Sequence, residues 1–112
     1  MDNFVRIDGK KIFYTDKGSG FIIVFLHGWM ASKKVYEDIT DLLSKKYRCI
    51  SIDIPGFGKS DLVGKMTIKK IPTIIHKLLK KMRVTKFYLV GNSFGGAISI
   101  LYSNKYNDEV KN

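Results

Sequence analysis

The sequence predicts an α/β domain built on a mainly parallel sheet with helices on both faces. Residues 21–26 are continuously apolar, as in a strand buried on both sides of a parallel sheet. Residues 71–82 carry apolar side chains at helical spacing. After residue 20, strand patterns alternate with helix patterns, which is typical of a parallel sheet whose right-handed crossovers place helices on its two faces.

The chain opens with a predicted hairpin. Apolar and polar residues alternate over Asn3–Ile7 and Lys11–Thr15, on either side of an Asp8-Gly9 turn. A loop at Lys17–Gly20 leads into the buried strand Phe21–Leu26. We expect the hairpin to form one edge of the sheet.

A helix is expected next, with Ser32 as its N-cap. Its predicted buried stripe consists of Val35, Ile39, Leu42 and Leu43. Tyr47–Ile52 then predicts another strand, which ends in a glycine-rich loop at Pro55–Gly58.

The second half of the chain predicts a helix, a strand and a helix. Ile71, Ile75, Leu78 and Met82 form an apolar face over residues 71–82. Because proline lacks an N–H, Pro72 places the start of this helix near itself. Phe87–Val90 predicts a buried strand, and Phe94–Asn104 predicts a helix with a closely packed start of small residues.

Length and composition indicate one domain over residues 1–112. No apolar run approaches the roughly 20 residues that span a bilayer, and the first residues do not resemble a signal peptide. Cys49 is the single cysteine, so no internal disulfide can form. These features predict a cytoplasmic protein without stable membrane insertion, and no cofactor or metal is expected.

The charge is strongly basic, at +10, and unevenly distributed. Nine basic residues and no acidic ones lie between Leu62 and Asn107. Such a region can attract anionic surfaces. No nucleic-acid motif and no interleaved aromatic residues accompany the lysines, so we expect a solvated helix surface and no nucleic-acid partner.

The strongest chemical signal is Gly91-Asn92-Ser93-Phe94-Gly95, a G-x-S-x-G sequence between a predicted strand and a predicted helix. A turn this sharp strains the serine backbone and leaves no room for side chains two residues away. Gly91 and Gly95 supply that room. The turn projects the Ser93 hydroxyl as a nucleophile, and the Phe94 N–H at the helix start can stabilise an oxyanion.

His27-Gly28-Trp29 directly follows the apolar strand. This loop can offer the Trp29 N–H as a second oxyanion donor, and Gly28 permits close approach of the backbone. Because histidine titrates near neutral pH, His27 is a candidate base. We interpret it instead as a structural anchor that holds the loop by hydrogen bonds.

The segment Asp53–Ser60 contains Gly58-Lys59-Ser60 after a strand and nearly matches the sequence motif of a phosphate-binding loop. That motif requires a glycine where Asp53 stands, and Pro55 removes an N–H that a phosphate cradle would use. The sequence therefore argues against nucleotide binding at this loop.

These three segments, in this order, resemble the N-terminal part of the α/β-hydrolase superfamily over nearly the whole chain. The Gly91–Gly96 elbow is similar to that of meta-cleavage product hydrolases, which split carbon–carbon bonds. His27-Gly28-Trp29 is more similar to certain esterases and perhydrolases. Related dehalogenases and epoxide hydrolases carry aspartate at the elbow, so Ser93 argues against both.

The resemblance implies a truncated fold, an N-terminal hairpin and parallel sheet that stop after the elbow helix. It implies Ser93 as nucleophile, Trp29 and Phe94 as backbone oxyanion donors, and a small-molecule acyl or ester substrate. In the family an acid and a histidine follow the nucleophile. Here only Asp108 and Glu109 follow it as acids, and no histidine does.

His76 is expected to be a solvated residue of the basic helix, not a base. A downstream segment or a partner chain would then supply the acid and the histidine. The Phe87–Val90 strand would lie at an unpaired edge of the sheet. Residues 108–112 are expected to lead into a further strand. Two alternatives stay open, a gene fragment without catalysis and a basic module that binds anionic surfaces.

Overall fold

The computed structural model describes residues 3–65 and 67–111. Within them the strands are β1 (Asn3–Ile7), β2 (Lys10–Lys17), β3 (Ile22–Leu26), β4 (Arg48–Ile52) and β5 (Tyr88–Gly91). The α-helices are α1 (Glu37–Leu43), α2 (Ile71–Lys81) and α3 (Phe94–Lys105), and a 3₁₀ turn at Lys33–Tyr36 leads into α1.

The strands form one mixed sheet in the order β1-β2-β4-β3-β5. The hairpin β1–β2 is antiparallel and joins β4 antiparallel, whereas β3 pairs parallel with both β4 and β5. Val24 in the middle of β3 lies opposite Ile50 on one side and Leu89 on the other. The predicted fold class is confirmed.

The two crossover connections run to opposite sides of β3. The connection through α1 places β4 on one side, and the connection through α2 places β5 on the other. Because such crossovers are right-handed, α1 and α2 cover opposite faces of the sheet. The carboxyl ends of β3, β4 and β5 meet at one edge, where His27, Asp53 and Asn92 follow their strands.

Helix α2 matches its prediction. It begins at Ile71 with Pro72 in its first turn, where the missing N–H costs no helical hydrogen bond. Ile75 and Leu78 are fully buried and join a core cluster that also contains Val24 and Ile50. This cluster fixes the sheet beneath the carboxyl ends of its strands.

The buried stripe predicted for the first helix is wrong at three of its four residues, and the fourth, Leu43, is half-buried. Val35, Ile39 and Leu42 are exposed by 59%, 48% and 63%, and Thr40 is the residue of α1 that is buried. The 3₁₀ turn winds more tightly than an α-helix and shifts the side chains that follow it. A different stripe therefore faces the sheet, and an apolar ridge faces outward.

Strand β5 begins one residue later than predicted and lies at the sheet edge. Tyr88 and Val90 are each 40% exposed. Phe87 forms a parallel bridge with Val110 through bonds from Phe87 N–H to the Glu109 carbonyl and from Lys111 N–H to the Phe87 carbonyl. The end of the described chain thus starts a ladder beside β5. Asn112, the last residue of the predicted strand approach, lies outside the described residues.

Candidate active site

Ser93 forms the turn between β5 and α3. Its φ of 57° and ψ of −115° lie where a residue with a side chain is strained. Its side chain is exposed at the carboxyl edge of the sheet. The strand and the helix on either side of Ser93 maintain this strained conformation.

The glycines of the turn lie where no side chain fits. A Cβ on Gly95 would lie 2.1 Å from the Leu26 carbonyl oxygen and 2.5 Å from that of His27. A Cβ on Gly91 would lie 2.3 Å from the Gly95 carbonyl oxygen. These contacts are with backbone, which cannot move aside. The start of α3 therefore packs directly against the end of β3.

The His27–Trp29 loop adjoins the turn. A Cβ on Gly28 would lie 3.4 Å from the Asn92 carbonyl oxygen and 3.6 Å from the Ser93 Cβ. The Trp29 ring packs edge-on against Phe94, with 5.1 Å between ring centroids. Gly28 thus brings this backbone against the serine.

Two backbone N–H groups near Ser93 lack a hydrogen-bond acceptor in the described part of the chain. Among residues 3–65 and 67–111, no acceptor is hydrogen-bonded to the N–H of Trp29 or of Phe94. The first N–H groups of a helix lack intrahelical partners, which explains Phe94. Both groups belong to the two segments that meet at Ser93, as an oxyanion site requires.

His27 is completely buried beneath this loop. Its Nδ1 lies 2.8 Å from the Gly28 carbonyl oxygen, and its Nε2 accepts the Ile54 N–H at 3.0 Å. Burial lowers the pKa of His27, which keeps the ring neutral. Both nitrogens therefore bind backbone groups, and the described residues contain no His27–Ser93 hydrogen bond.

Asp53 binds two loops together with the help of Lys33, a residue that sequence reasoning missed. One carboxylate oxygen accepts the Lys33 N–H at 2.8 Å. The other accepts the Lys59 N–H at 3.0 Å and lies 3.4 Å from the Lys33 ammonium. The Lys33 and Asp53 side chains are 3% and 1% exposed. Nothing in the sequence distinguishes Lys33 from the many exposed lysines.

The same carboxylate fills the loop that resembles a phosphate cradle. A Cβ on Gly58 would lie 2.4 Å from the Asp53 Cγ. The Ser60 hydroxyl donates to the Asp53 carbonyl at 2.7 Å, which closes the loop over the carboxylate. The carboxylate fills the space inside the loop and accepts the Lys59 N–H that a phosphate would need, so the geometry agrees with the argument against nucleotide binding here.

An apolar pocket of about 300 Å³ opens beside the turn. Three aromatic rings form one wall, with centroids of Trp29 and Phe57 5.0 Å apart and of Phe57 and Phe94 5.9 Å apart. The aliphatic lining comes from Leu62, Ile68 and Ile71. This pocket suits the apolar part of a small molecule.

His76 differs from its prediction, because its side chain is packed against α3 and only partly exposed. Its ring stacks on Tyr106 at 4.0 Å, and its Nδ1 lies 2.9 Å from a carboxylate oxygen of Glu109. The Tyr102 hydroxyl donates to the same carboxylate at 2.7 Å. Burial and Glu109 raise the pKa of Tyr102, which remains a donor. This cluster joins α2 to the end of α3 and contacts neither Ser93 nor Trp29.

Two further findings limit the chemistry of the described residues. Within 3–65 and 67–111, no group of three or more His, Cys, Asp and Glu side chains could hold a metal ion. No helix in that part of the chain is long and apolar enough to cross a membrane.

The chain belongs to the α/β-hydrolase fold family, whose model matches residues 22–112. It is 34% identical over 102 residues to the pimeloyl-(acyl-carrier protein) methyl ester esterase of Wigglesworthia glossinidia brevipalpis, across 87% of this chain and 38% of that esterase. It is 30% identical to a 2-hydroxy-6-oxo-6-(2'-aminophenyl)hexa-2,4-dienoic acid hydrolase of Metapseudomonas resinovorans, across 96% of this chain and 40% of that hydrolase.

Among solved structures, Cfl2 of Burkholderia cenocepacia superposes with a TM-score of 0.92 at 27% identity, across 98% of this chain and 38% of Cfl2. The chain therefore spans about two fifths of the length of these relatives. The two sequence relatives are hydrolases, and the resemblance to esterases and to a carbon–carbon hydrolase that the motifs predict is confirmed.

Proposed function

We propose that Ser93 is the nucleophile of a cytoplasmic serine hydrolase that cleaves an ester or carbon–carbon bond of a small molecule through an acyl-enzyme. The backbone of Ser93 carries this proposal. An exposed serine at φ 57° joins a strand to a helix, beside two N–H groups that have no acceptor among the described residues. The hydrolase relatives support the same reaction class.

The reaction begins when the Ser93 oxygen adds to the substrate carbonyl carbon and gives up its proton. The negative charge that develops on the carbonyl oxygen is stabilised by the Trp29 and Phe94 N–H groups. The carbon–oxygen or carbon–carbon bond to the leaving group then breaks, and the leaving group takes up a proton. Water hydrolyses the acyl-serine and restores the hydroxyl.

The general base comes from outside residues 1–112 in this proposal. Both histidines of the chain are already engaged, His27 by backbone groups and His76 by Glu109. A downstream segment or a partner chain supplies the catalytic acid and histidine. The exposed ridge of Val35, Ile39 and Leu42 and the open edge of β5 offer apolar surfaces for it.

The substrate carries an apolar acyl group in the aromatic pocket. Trp29 and Phe94 belong both to the pocket wall and to the segments that supply the oxyanion donors. A carbonyl bound at those donors can therefore place its apolar chain in the pocket. The volume of this pocket, about 300 Å³, is at the small end of the range for ligand pockets.

Ester turnover tests this proposal. Residues 1–112 should hydrolyse p-nitrophenyl esters barely above background, because the nucleophile lacks its base. Attaching a C-terminal part that contains the acid and the histidine, such as that of the Wigglesworthia esterase, should raise the rate by about 10³ or more. Ser93→Ala should abolish this gain, and Ser99→Ala, a serine within α3, should retain it.

A gain in turnover that survives Ser93→Ala would contradict the assignment of the nucleophile. Robust turnover by residues 1–112 alone would contradict the external base, and His76→Gln would then show whether His76 acts as that base.

A further inference from the structure

A groove larger than the apolar pocket beside Ser93 lies elsewhere in the described part of the chain. This groove, of about 860 Å³, runs between the β1–β2 turn, the segment before α2, and helices α2 and α3. Six lysines line it, namely Lys10, Lys65, Lys69, Lys70, Lys77 and Lys105. Asp8 is the one acidic residue among its described lining residues. We call this site the lysine groove.

Most of the charge in the lysine groove is uncompensated. Lys77 lies 3.2 Å from Asp8, and Lys105 donates to the Thr73 hydroxyl at 2.8 Å. Lys10, Lys65, Lys69 and Lys70 have no acidic partner within residues 3–65 and 67–111. Six ammonium groups and one carboxylate leave a local charge of +5. This arrangement costs repulsion that a bound anion would remove.

We propose that the lysine groove binds a compact anion with several phosphate groups. The six lysines come from four separate segments of the chain, and these segments meet around one concave volume. That geometry fits a compact polyanion better than an extended chain. Lysine ammonium groups donate charge-assisted hydrogen bonds to phosphate oxygens, and the groove has the size of a ligand site.

Other anionic partners fit the lysine groove less well. No aromatic residue is present among its described lining residues, so bases of a single-stranded nucleic acid would find no stacking partner. A membrane surface is broad and flat, whereas this site is concave. The groove adjoins the apolar pocket beside Ser93 at Thr67, which lines both. Its proposed ligand requires no chemistry at Ser93.

Calorimetric titration with sodium tripolyphosphate at fixed ionic strength tests the proposal on the 112-residue chain. The groove variant is Lys65→Gln with Lys69→Gln and Lys70→Gln. The control variant is Lys45→Gln with Lys46→Gln and Lys86→Gln, exposed lysines that do not line the groove. Both variants lower the net charge from +10 to +7.

Saturable binding should weaken by about tenfold in the groove variant and by no more than about twofold in the control variant. Asp8→Asn should tighten binding by a few-fold, since it removes the one carboxylate of the groove. Asparagine tolerates the φ of 51° at this position. Ser93→Ala should leave binding unchanged.

Equal weakening in both triple variants would show attraction to net charge alone and would overturn the proposal. So would the absence of saturable binding. Tighter binding of an oligoglutamate peptide of matched charge would assign the groove to an acidic polypeptide, and tighter binding of vesicles rich in anionic lipid would assign it to a membrane. Either result also overturns the proposal.

Discussion

Helices α1 and α2 cover opposite faces of the same sheet but are buried to very different extents. Helix α2 buries six residues, namely Ile71, Pro72, Ile74, Ile75, Leu78 and Leu79. Helix α1 buries Thr40, while Ile39 and Leu42 remain exposed by 48% and 63%. The α2 face is packed by the residues of this chain, and the α1 face is packed far less completely. The candidate site depends on the well-packed face, because α3 lies there beside α2.

The largest effect is expected where α3 packs against β3. Gly95→Ala places a Cβ 2.1 Å from the Leu26 carbonyl oxygen and should lower the free energy of unfolding by about 3 kcal/mol or more. The control is Gly96→Ala, whose Cβ would meet its nearest neighbour at 3.4 Å. Urea unfolding measures both. A Gly95→Ala variant as stable as Gly96→Ala would contradict this close packing.

The next effect compares the two helices directly. Leu78→Ala removes a fully buried side chain of α2 and should cost about 2–5 kcal/mol. Leu42→Ala, the same substitution on α1, should change the unfolding free energy by less than about 0.5 kcal/mol. Chemical denaturation of residues 1–112 checks both values. Similar costs for the two variants would mean that α1 is buried in solution and that the comparison fails.

These helices also show what the sequence can and cannot predict. The burial of Leu78 can be predicted because the apolar residues of α2 keep one helical period from Ile71 onward. The α1 stripe is misread because the 3₁₀ turn at Lys33–Tyr36 shifts its phase, and periodicity alone does not reveal such a turn. Local patterns therefore predict that an element is present better than they predict where it begins or, as in α1, which face it buries.

The candidate site likewise combines a feature that local sequence predicts with contacts that it does not. The position of Ser93 between a strand and a helix follows from local sequence, because the glycine spacing and the flanking patterns are local. The buried Lys33–Asp53 pair and the contact of His76 with Glu109 join residues far apart in the chain. Neither is marked by spacing, and each depends on how the elements pack in three dimensions.

A smaller effect is expected from pH, through His27. Burial lowers the pKa of His27 below its ordinary value of 6.5, so at mildly acidic pH the unfolded chain binds a proton that the folded chain refuses. The stabilisation is complete above that value and is lost as the pH falls through the folded pKa. Protonation of Nε2 would also remove the acceptor of the Ile54 N–H.

The measurement compares unfolding of His76→Gln, in which His27 is the one remaining histidine, with His27→Gln/His76→Gln between about pH 8 and about pH 5.5. The first variant should lose more stability than the second as the pH falls. Parallel pH dependences would show that burial does not hold His27 neutral in the folded chain.

The most direct test of the central claim is covalent labelling at Ser93. A p-nitrophenyl alkylphosphonate should phosphonylate Ser93 slowly, with release of p-nitrophenol, and peptide mass spectrometry should place the adduct there. Ser93→Ala should show no adduct at the elbow, and Ser99→Ala should be labelled like the unmodified chain. Labelling that is spread over other serines, or that persists unchanged in Ser93→Ala, would contradict the assignment of Ser93 as the nucleophile.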